Sequence, residues 1–251
     1  MMMTKEFERG VLFIATGKKY INAAIRAASM VKKNCPGLPI ALFGDWQNHG
    51  FAFQVTPYPF DIVEKIDNPH RRSKVDYLFQ TPFEQTLYLD TDTNVVEDIS
   101  GIFELLERFD VAVGHAMRRN SANRLTSWRT KLPKAFPQFN SGVFLYKNTP
   151  AVLSFLQKWS DAFHSAGFEQ DQVALRELLW LSELRLTVLP PEYNVRYEKY
   201  RWFWSKTEAV PKIFHLQKYH DNMFKVHTKA LLRNLFAKLG INKPPKRNKP
   251  I

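Results

Sequence analysis

Cysteine is almost absent from this 251-residue sequence: Cys35 stands alone. A single thiol can form neither an internal disulfide framework nor a cysteine-based zinc site, and it fits a reducing compartment. Long hydrophobic runs are missing too. No stretch approaches the roughly 20 apolar residues that cross a bilayer, and the run 11–15 is too short for the core of a secretion signal, so a cytosolic protein is expected. There is no internal repeat, low-complexity region or clear linker. Acidic residues are also scarce, with 24 Asp and Glu against 36 Lys and Arg, a formal charge of +12.

The imbalance is concentrated at one end. From Asn222 onward come Lys225, Lys229, Arg233, Lys238, Lys243, Lys246, Arg247 and Lys249, with no acid among them. The same segment carries Phe224, Leu231, Leu232, Leu235, Phe236 and Leu239 at helical spacing. A basic amphipathic helix suits an anionic membrane surface, which would place the protein peripherally on the cytoplasmic face. A helix docked on its own core with its polar face in water has the same pattern. Nucleic acid is not expected as a partner, because positive charge is its only support and no recognised module accompanies it. The expected organisation is a domain over 1–221 and a basic appendage over 222–251.

What the sequence does have is ample apolar material, 45% of residues, and a length that fits one α/β domain or two small ones. Apolar runs at 11–15, 39–45, 61–66, 86–89, 110–114, 139–146, 185–189 and 212–215 read as strands. Helical patterns fall at 20–33, 72–79, 102–108 and 150–165, with another starting near Asp171. Strands alternating with helices imply a mostly parallel central sheet with helices on both faces. The stretch 115–138 breaks the pattern with Arg118, Arg119, Arg124, Arg129, Lys131 and Lys134, and a loop this long is expected to close over a ligand, to bind an acidic partner or to move freely in solvent.

The most informative run is Thr86-Leu87-Tyr88-Leu89-Asp90-Thr91-Asp92-Thr93. It drives an apolar strand into two carboxylates spaced i, i+2, and alternate residues of an extended segment point the same way. Asp90 and Asp92 can therefore reach one hard divalent cation from a single side, leaving coordination positions open for a phosphate ligand. An Asp-rich turn after a strand has the same letters. So does the Asp-x-Asp-x-Thr string of haloacid-dehalogenase-like phosphatases, where the first Asp is a nucleophile, but that string normally opens its fold, whereas here about three strands precede it.

Three segments, in one order, look like the retaining glycosyltransferases of family 8, the group of glycogenin and the bacterial lipopolysaccharide galactosyl- and glucosyltransferases. They are Leu87 to Thr93, Phe139-Asn140-Ser141-Gly142-Val143-Phe144, and Asp171-Gln172 before a helix. The resemblance runs from about Val11 to His215. It implies the GT-A fold, a nucleotide-binding α/β domain whose DxD motif holds a divalent cation, Mn2+ or Mg2+, against a UDP-sugar. On this resemblance Ala15, Thr16 and Tyr20 lie where uracil and ribose are received, and Lys74 approaches the donor's sugar or phosphates. Thr91 lies within the DxD string, and His215 completes the metal set with Asp90 and Asp92. Asn140, Ser141, Asp171 and Gln172 line the sugar pocket, the last two near the anomeric carbon as the catalytic pair. Past His215 the family usually shows Gly-x-x-Lys-Pro, whereas this chain reads Leu216-Gln217-Lys218-Tyr219-His220, so that Lys218 takes the phosphate contact without the surrounding pattern.

The activity implied is transfer of a hexose from a UDP-sugar to a glycan or glycolipid acceptor with retention of anomeric configuration. Front-face attack through an oxocarbenium-like state is the family's usual account. A non-catalytic basic protein on the same scaffold is the remaining alternative, and the complete set Asp90, Asp92, Asn140, Asp171 and His215 argues against it. Trp202, Phe203 and Trp204 suit stacking on sugar rings or packing in the core.

Overall fold

The computed structural model describes residues 7–53, 58–118, 125 and 127–220. The first strand, β1 (Phe7–Ala15), is buried on both sides from Val11 to Ala15, which is why its sequence is continuously apolar rather than alternating. Thr16 and Gly17 then turn the chain into α1 (Lys18–Asn34), which lays Ile21, Ala24, Ala28 and Val31 on the sheet. Their three- and four-residue spacing puts them on one helical face. Two further strands, β2 (Ile40–Gly44) and β3 (Ile62–Lys65), pair in parallel beyond β1, with β3 at the edge.

On the other side of β1 lie β4 (Phe83–Leu89), β7 (Phe139–Lys147), β6 (Val111–His115) and β8 (Leu186–Val188), giving the order β3-β2-β1-β4-β7-β6-β8. Within this sheet β7 alone runs against its neighbours. The strands supply two cores by alternation. Val11, Phe13, Leu87 and Leu89 face α1 and a 3-10 stretch, Ser100–Glu107, that contributes Ile102, Phe103 and Leu106. Leu12, Tyr88, Phe144 and Tyr146 face α3 (Pro150–Ala166) and α4 (Gln172–Leu181), with Trp159 fully buried between them.

Two helices differ from their sequence patterns. The segment 102–108 winds as a 3-10 helix. The pattern over 72–79 yields only α2 (Lys74–Tyr77) and a 3-10 turn, Leu78–Gln80. Pro82 blocks further winding, and the Leu78 carbonyl accepts from the Tyr146 hydroxyl at 2.6 Å. A small ribbon separate from the main sheet pairs β5 (Thr93–Val95) with β9 (Ile213–His215), setting Thr93 opposite His215.

Part of the basic segment 115–138 is tied down. The amides of Trp128, Arg129 and Thr130 converge on the buried Glu177 carboxylate at 2.9, 3.1 and 2.8 Å, and Arg176 holds the Phe136 and Pro133 carbonyls. From residue 127 onward the segment is thus docked on α4, not a solvated loop. The last α-helix among the described residues, α5 (Tyr200–Phe203), exposes Trp202 at 82% and Phe203 at 73%, while Trp204 stacks on Tyr200. No helix among the described residues is long and apolar enough to cross a membrane. The expected appendage over 222–251 lies outside the described residues.

Candidate active site

The strand order reverses between β1 and β4, and the carboxyl ends of such a pair diverge to leave a crevice. A cavity of about 550 Å³ opens there. It is lined by Thr16, Tyr20, Lys74, Asp90, Thr91, Asp92, Asn140, Asp171, Gln172 and His215, all singled out in the sequence. Tyr20 is not a core residue: its ring stands partly in solvent and meets the edge of the His220 ring at 5.0 Å.

Local geometry aims the two aspartates. The Asp90 amide donates to the Gly142 carbonyl at 2.8 Å, ending the β4–β7 ladder, and Thr93 Oγ1 donates to the Asp90 carbonyl at 2.7 Å, closing the turn. The ribbon pairing of Thr93 with His215 then sets the imidazole against both carboxylates. His215 Nε2 lies 3.0 Å from Asp92 Oδ1 and 3.6 Å from Asp90 Oδ2. Gly142 makes room for them, since a Cβ there would sit 2.2 Å from His215 Cε1 and 2.3 Å from Asp90 Oδ2.

The trio fits a divalent cation. One ligand atom from each of Asp90, Asp92 and His215 falls within 4.8 Å of the others. Asn194 Oδ1 lies 2.9 Å from His215 Nδ1, and the Asn194 amide nitrogen is engaged by the His115 carbonyl and Asn140 Oδ1, so Nδ1 carries the proton. Nε2 therefore faces the carboxylates, and the arrangement is attractive only with positive charge between them, on the ring or on a bound cation. Carboxylate oxygen with imidazole nitrogen is a donor set suited to manganese, and less to magnesium.

The charges around the trio are balanced. Burial opposes ionisation of Asp90, and Lys74 and His215 outweigh it, holding that carboxyl below its ordinary value. Asp92 is pushed further down, burial being overcome mainly by His215. Lys74 Nζ lies 3.2 Å from Asp90 Oδ1 and 3.4 Å from Asp171 Oδ2, and donates to Ser141 Oγ at 2.8 Å. Burial alone would lower its pKa, but Asp171 and Asp90 raise it, so it stays an ammonium. Tyr88, buried and beside Asp90, has its phenol pushed well up and donates to Asp90 Oδ1 at 2.7 Å. Asp171 accepts from Ser141 Oγ at 2.5 Å and faces Arg72 at 3.5 Å.

Three candidates do not face the cavity. Ala15 is buried beneath its floor, and Ser141 lies under Asp171, acting through Lys74 and Asp171. Lys218 pairs with Glu198 and is absent from the lining. Sequence reading missed Asn194, Gly142, His220 and Arg196. Gly142 carried a signal, as the third letter of Asn-Ser-Gly; the others are recruited by tertiary packing. Asp76 with His70 and His164 forms a second trio among the described residues. There His70 Nδ1 accepts from the Arg72 amide at 3.2 Å, which leaves the Nε2 proton for Asp76. Ser160 donates to the same carboxylate at 2.6 Å, so this group is a hydrogen-bonded clamp between α2 and α3.

The profile of the nucleotide-diphospho-sugar transferases matches residues 85–228, more than half of the chain and the part that carries the DxD turn, Asp171 and His215. The chain belongs to that family. Its nucleotide-diphospho-sugar transferase architecture is shared with the glycosyltransferase GlyE of Streptococcus pneumoniae, at 19% identity and a TM-score of 0.59 over 97% of this chain. This chain spans 66% of the GlyE chain, just under two thirds. The galactosyltransferase LgtC, solved with donor and acceptor sugar analogues, aligns over 94% of this chain and 98% of its own at 14% identity and a TM-score of 0.61. Mouse xyloside xylosyltransferase 1 aligns over 83% of this chain and 97% of its own, at 15% identity and a TM-score of 0.53. These likenesses are of fold, the GT-A fold. No curated protein sequence matches. In this chain Asp90 follows the fourth strand rather than the first, and family membership sets aside the phosphatase reading.

Proposed function

We propose that this chain is a metal-dependent glycosyltransferase that moves a hexose from a UDP-sugar to a glycan or glycolipid acceptor with retention of anomeric configuration. The observation that carries this reading is the convergence of Asp90, Asp92 and His215 in the wall of the switch-point cavity. A cation of the manganese or magnesium class held there supplies positive charge to the diphosphate as it departs. Thr16 and Tyr20, on the β1 side of the cavity, receive the nucleoside, and the partly exposed Tyr20 ring offers a stacking face.

Asn140, Asp171 and Gln172 wall the opposite side, where the sugar lies. Both Asp171 oxygens are already engaged, by Ser141 and Lys74 on one and Arg72 on the other. Its role is to fix negative charge beside an oxocarbenium-like carbon rather than to bond to it, in keeping with front-face attack by the acceptor. The acceptor enters over Met117 and Arg118, which border the cavity. The basic tail and the exposed Trp202 and Phe203 favour an acceptor presented at an anionic membrane surface.

The test is a thermal-shift panel of UDP, GDP and CMP and their sugars, with and without manganese. Stabilisation by UDP and UDP-sugars only when metal is present is the expected result. A response to GDP or CMP alone would overturn the donor assignment, and an inverted product would overturn retention.

A further inference from the structure

Arg196 stands beside the candidate metal centre. Its Nε and Nη1 are buried, and neither has a hydrogen-bond partner. A charged donor left unsatisfied in a folded chain is costly, and a guanidinium presents its donors in a planar fork that matches phosphate oxygens.

Its placement follows from the backbone. Val195 donates to the Ile213 carbonyl at 2.8 Å and accepts from the His215 amide at 3.0 Å, so this segment runs along β9. Asn194 and Arg196 flank Val195 and project to one side. Asn194 reaches His215, and Arg196 therefore emerges next to the same centre. Arg196 borders both the main cavity and a side pocket of about 210 Å³ walled by Tyr197, Tyr200 and Trp204.

Of the other described arginines and lysines that border the cavity, Arg71 and Arg118 are exposed to water, and Lys74 and Arg72 already face carboxylates. Lys74 serves Asp90 and Asp171, Arg72 faces Asp171, and Lys218 is paired with Glu198 outside the cavity. A leaving diphosphate gains charge during transfer and needs a cation not already neutralised.

We propose that Arg196 holds the β-phosphate of the nucleotide-sugar donor, taking the role that the sequence pattern assigned to Lys218. In the step it serves, the electron pair of the anomeric C–O bond stays on the β-phosphate oxygen and the acceptor hydroxyl oxygen bonds to the anomeric carbon. The hydroxyl proton passes to the departing phosphate, and Arg196 donates hydrogen bonds to that phosphate throughout. This inference rests on the donor reading above.

The experiment is calorimetric titration of the whole protein, with manganese present, by UDP and separately by UMP, for wild type, R196Q and R196K, with thermal melts as a check of folding. R196Q should weaken UDP roughly tenfold or more while UMP changes by less than about twofold, and R196K should recover part of the loss. Equal UDP affinity in R196Q and wild type overturns the proposal, and a raised acceptor KM in that variant would assign Arg196 to an acidic acceptor in the side pocket instead. If R196Q does not fold, R196K decides, since an unchanged UDP affinity there also overturns it. Failure of wild type to bind UDP at all would instead sink the donor reading.

Discussion

The His215 imidazole is anchored from behind by Asn194, whose Oδ1 lies 2.9 Å from Nδ1. Asn194 is itself seated where Gly114 has no side chain, as a Cβ there would lie 2.5 Å from its amide nitrogen. The asparagine thus fixes both the orientation and the tautomer of the ring. Partners of this kind typically change metal affinity 10–100-fold. N194A should weaken manganese binding by about that factor, measured by metal titration in the presence of UDP. Wild-type affinity in N194A would show that the ring is held by packing alone.

Gly142 lies where β7 passes closest to the metal trio. G142A places a methyl group within 2.3 Å of both the His215 ring and the Asp90 carboxylate, and neither is the free end of a flexible chain. The expected outcome is loss of the manganese-dependent thermal shift. Overpacking of this kind usually costs about 1–3 kcal/mol, so the variant should still fold. A full metal-dependent shift in G142A would mean that the two groups separate without cost.

The aspartate pair, the NSG strand and the alternation of strands with helices were legible because each is local: a run of apolar letters, a turn, a spacing of two. The β5–β9 ribbon was not, since Thr93 and His215 lie far apart in sequence and nothing in either segment encodes the pairing. His215 was reached through family resemblance, whereas Asn194 and Arg196 were missed because their roles depend on that ribbon. Lys218 is a different case. Its position matched a phosphate contact, but a nearby carboxylate, Glu198, takes its charge. The 3-10 winding of Ser100–Glu107 leaves no mark in an apolar pattern that fits either helix.

The Asp76 clamp makes stability depend on acid. Burial disfavours the Asp76 carboxylate, yet hydrogen bonds from Ser160, His70 and His164 outweigh it and lower its pKa. A depressed folded value means that the contribution is complete above the unfolded carboxylate value of about 3.9 and drains away as pH falls through the folded one. D76N should lower the melting temperature near pH 7 by several degrees, on the order of 2 kcal/mol for a hydrogen-bonded carboxylate in a domain of this size. The difference from wild type should shrink as pH falls below about 4. Urea midpoints from pH 7 to 3 test this; a gap that stays constant would place the acid sensitivity elsewhere.

Attachment to a membrane is expected to depend on charge. Each basic residue close to an anionic bilayer contributes roughly 1 kcal/mol, so a few of the eight cations beyond Asn222 account for about a hundredfold in partitioning. Deleting residues 222–251 should release the protein from phosphatidylserine vesicles while leaving its UDP-dependent thermal shift in place. High salt should release the intact chain as well. Vesicle binding that survives the deletion would move the contact to the exposed pair Trp202 and Phe203, a possibility that W202S/F203S separates.

Among the described residues Lys74 is the one ammonium that reaches both Asp90 and Asp171; Lys74 and Asp171 are buried and Asp90 is partly so. Removing the lysine leaves Asp171 to Arg72 and Asp90 to His215, so the cost falls below the roughly 3–5 kcal/mol of a buried charge left with no partner. K74M should still destabilise the protein more than its loss of one hydrogen bond to Ser141 suggests. Adding D171N removes one of the two carboxylates that lost the ammonium and should restore part of the stability, a coupling that a double-mutant cycle reads directly. Bound manganese should narrow the K74M deficit further, because a cation at Asp90 replaces the charge that the lysine supplied. Additive effects of K74M and D171N, with no rescue by metal, would show that Lys74 and these carboxylates do not share one electrostatic unit.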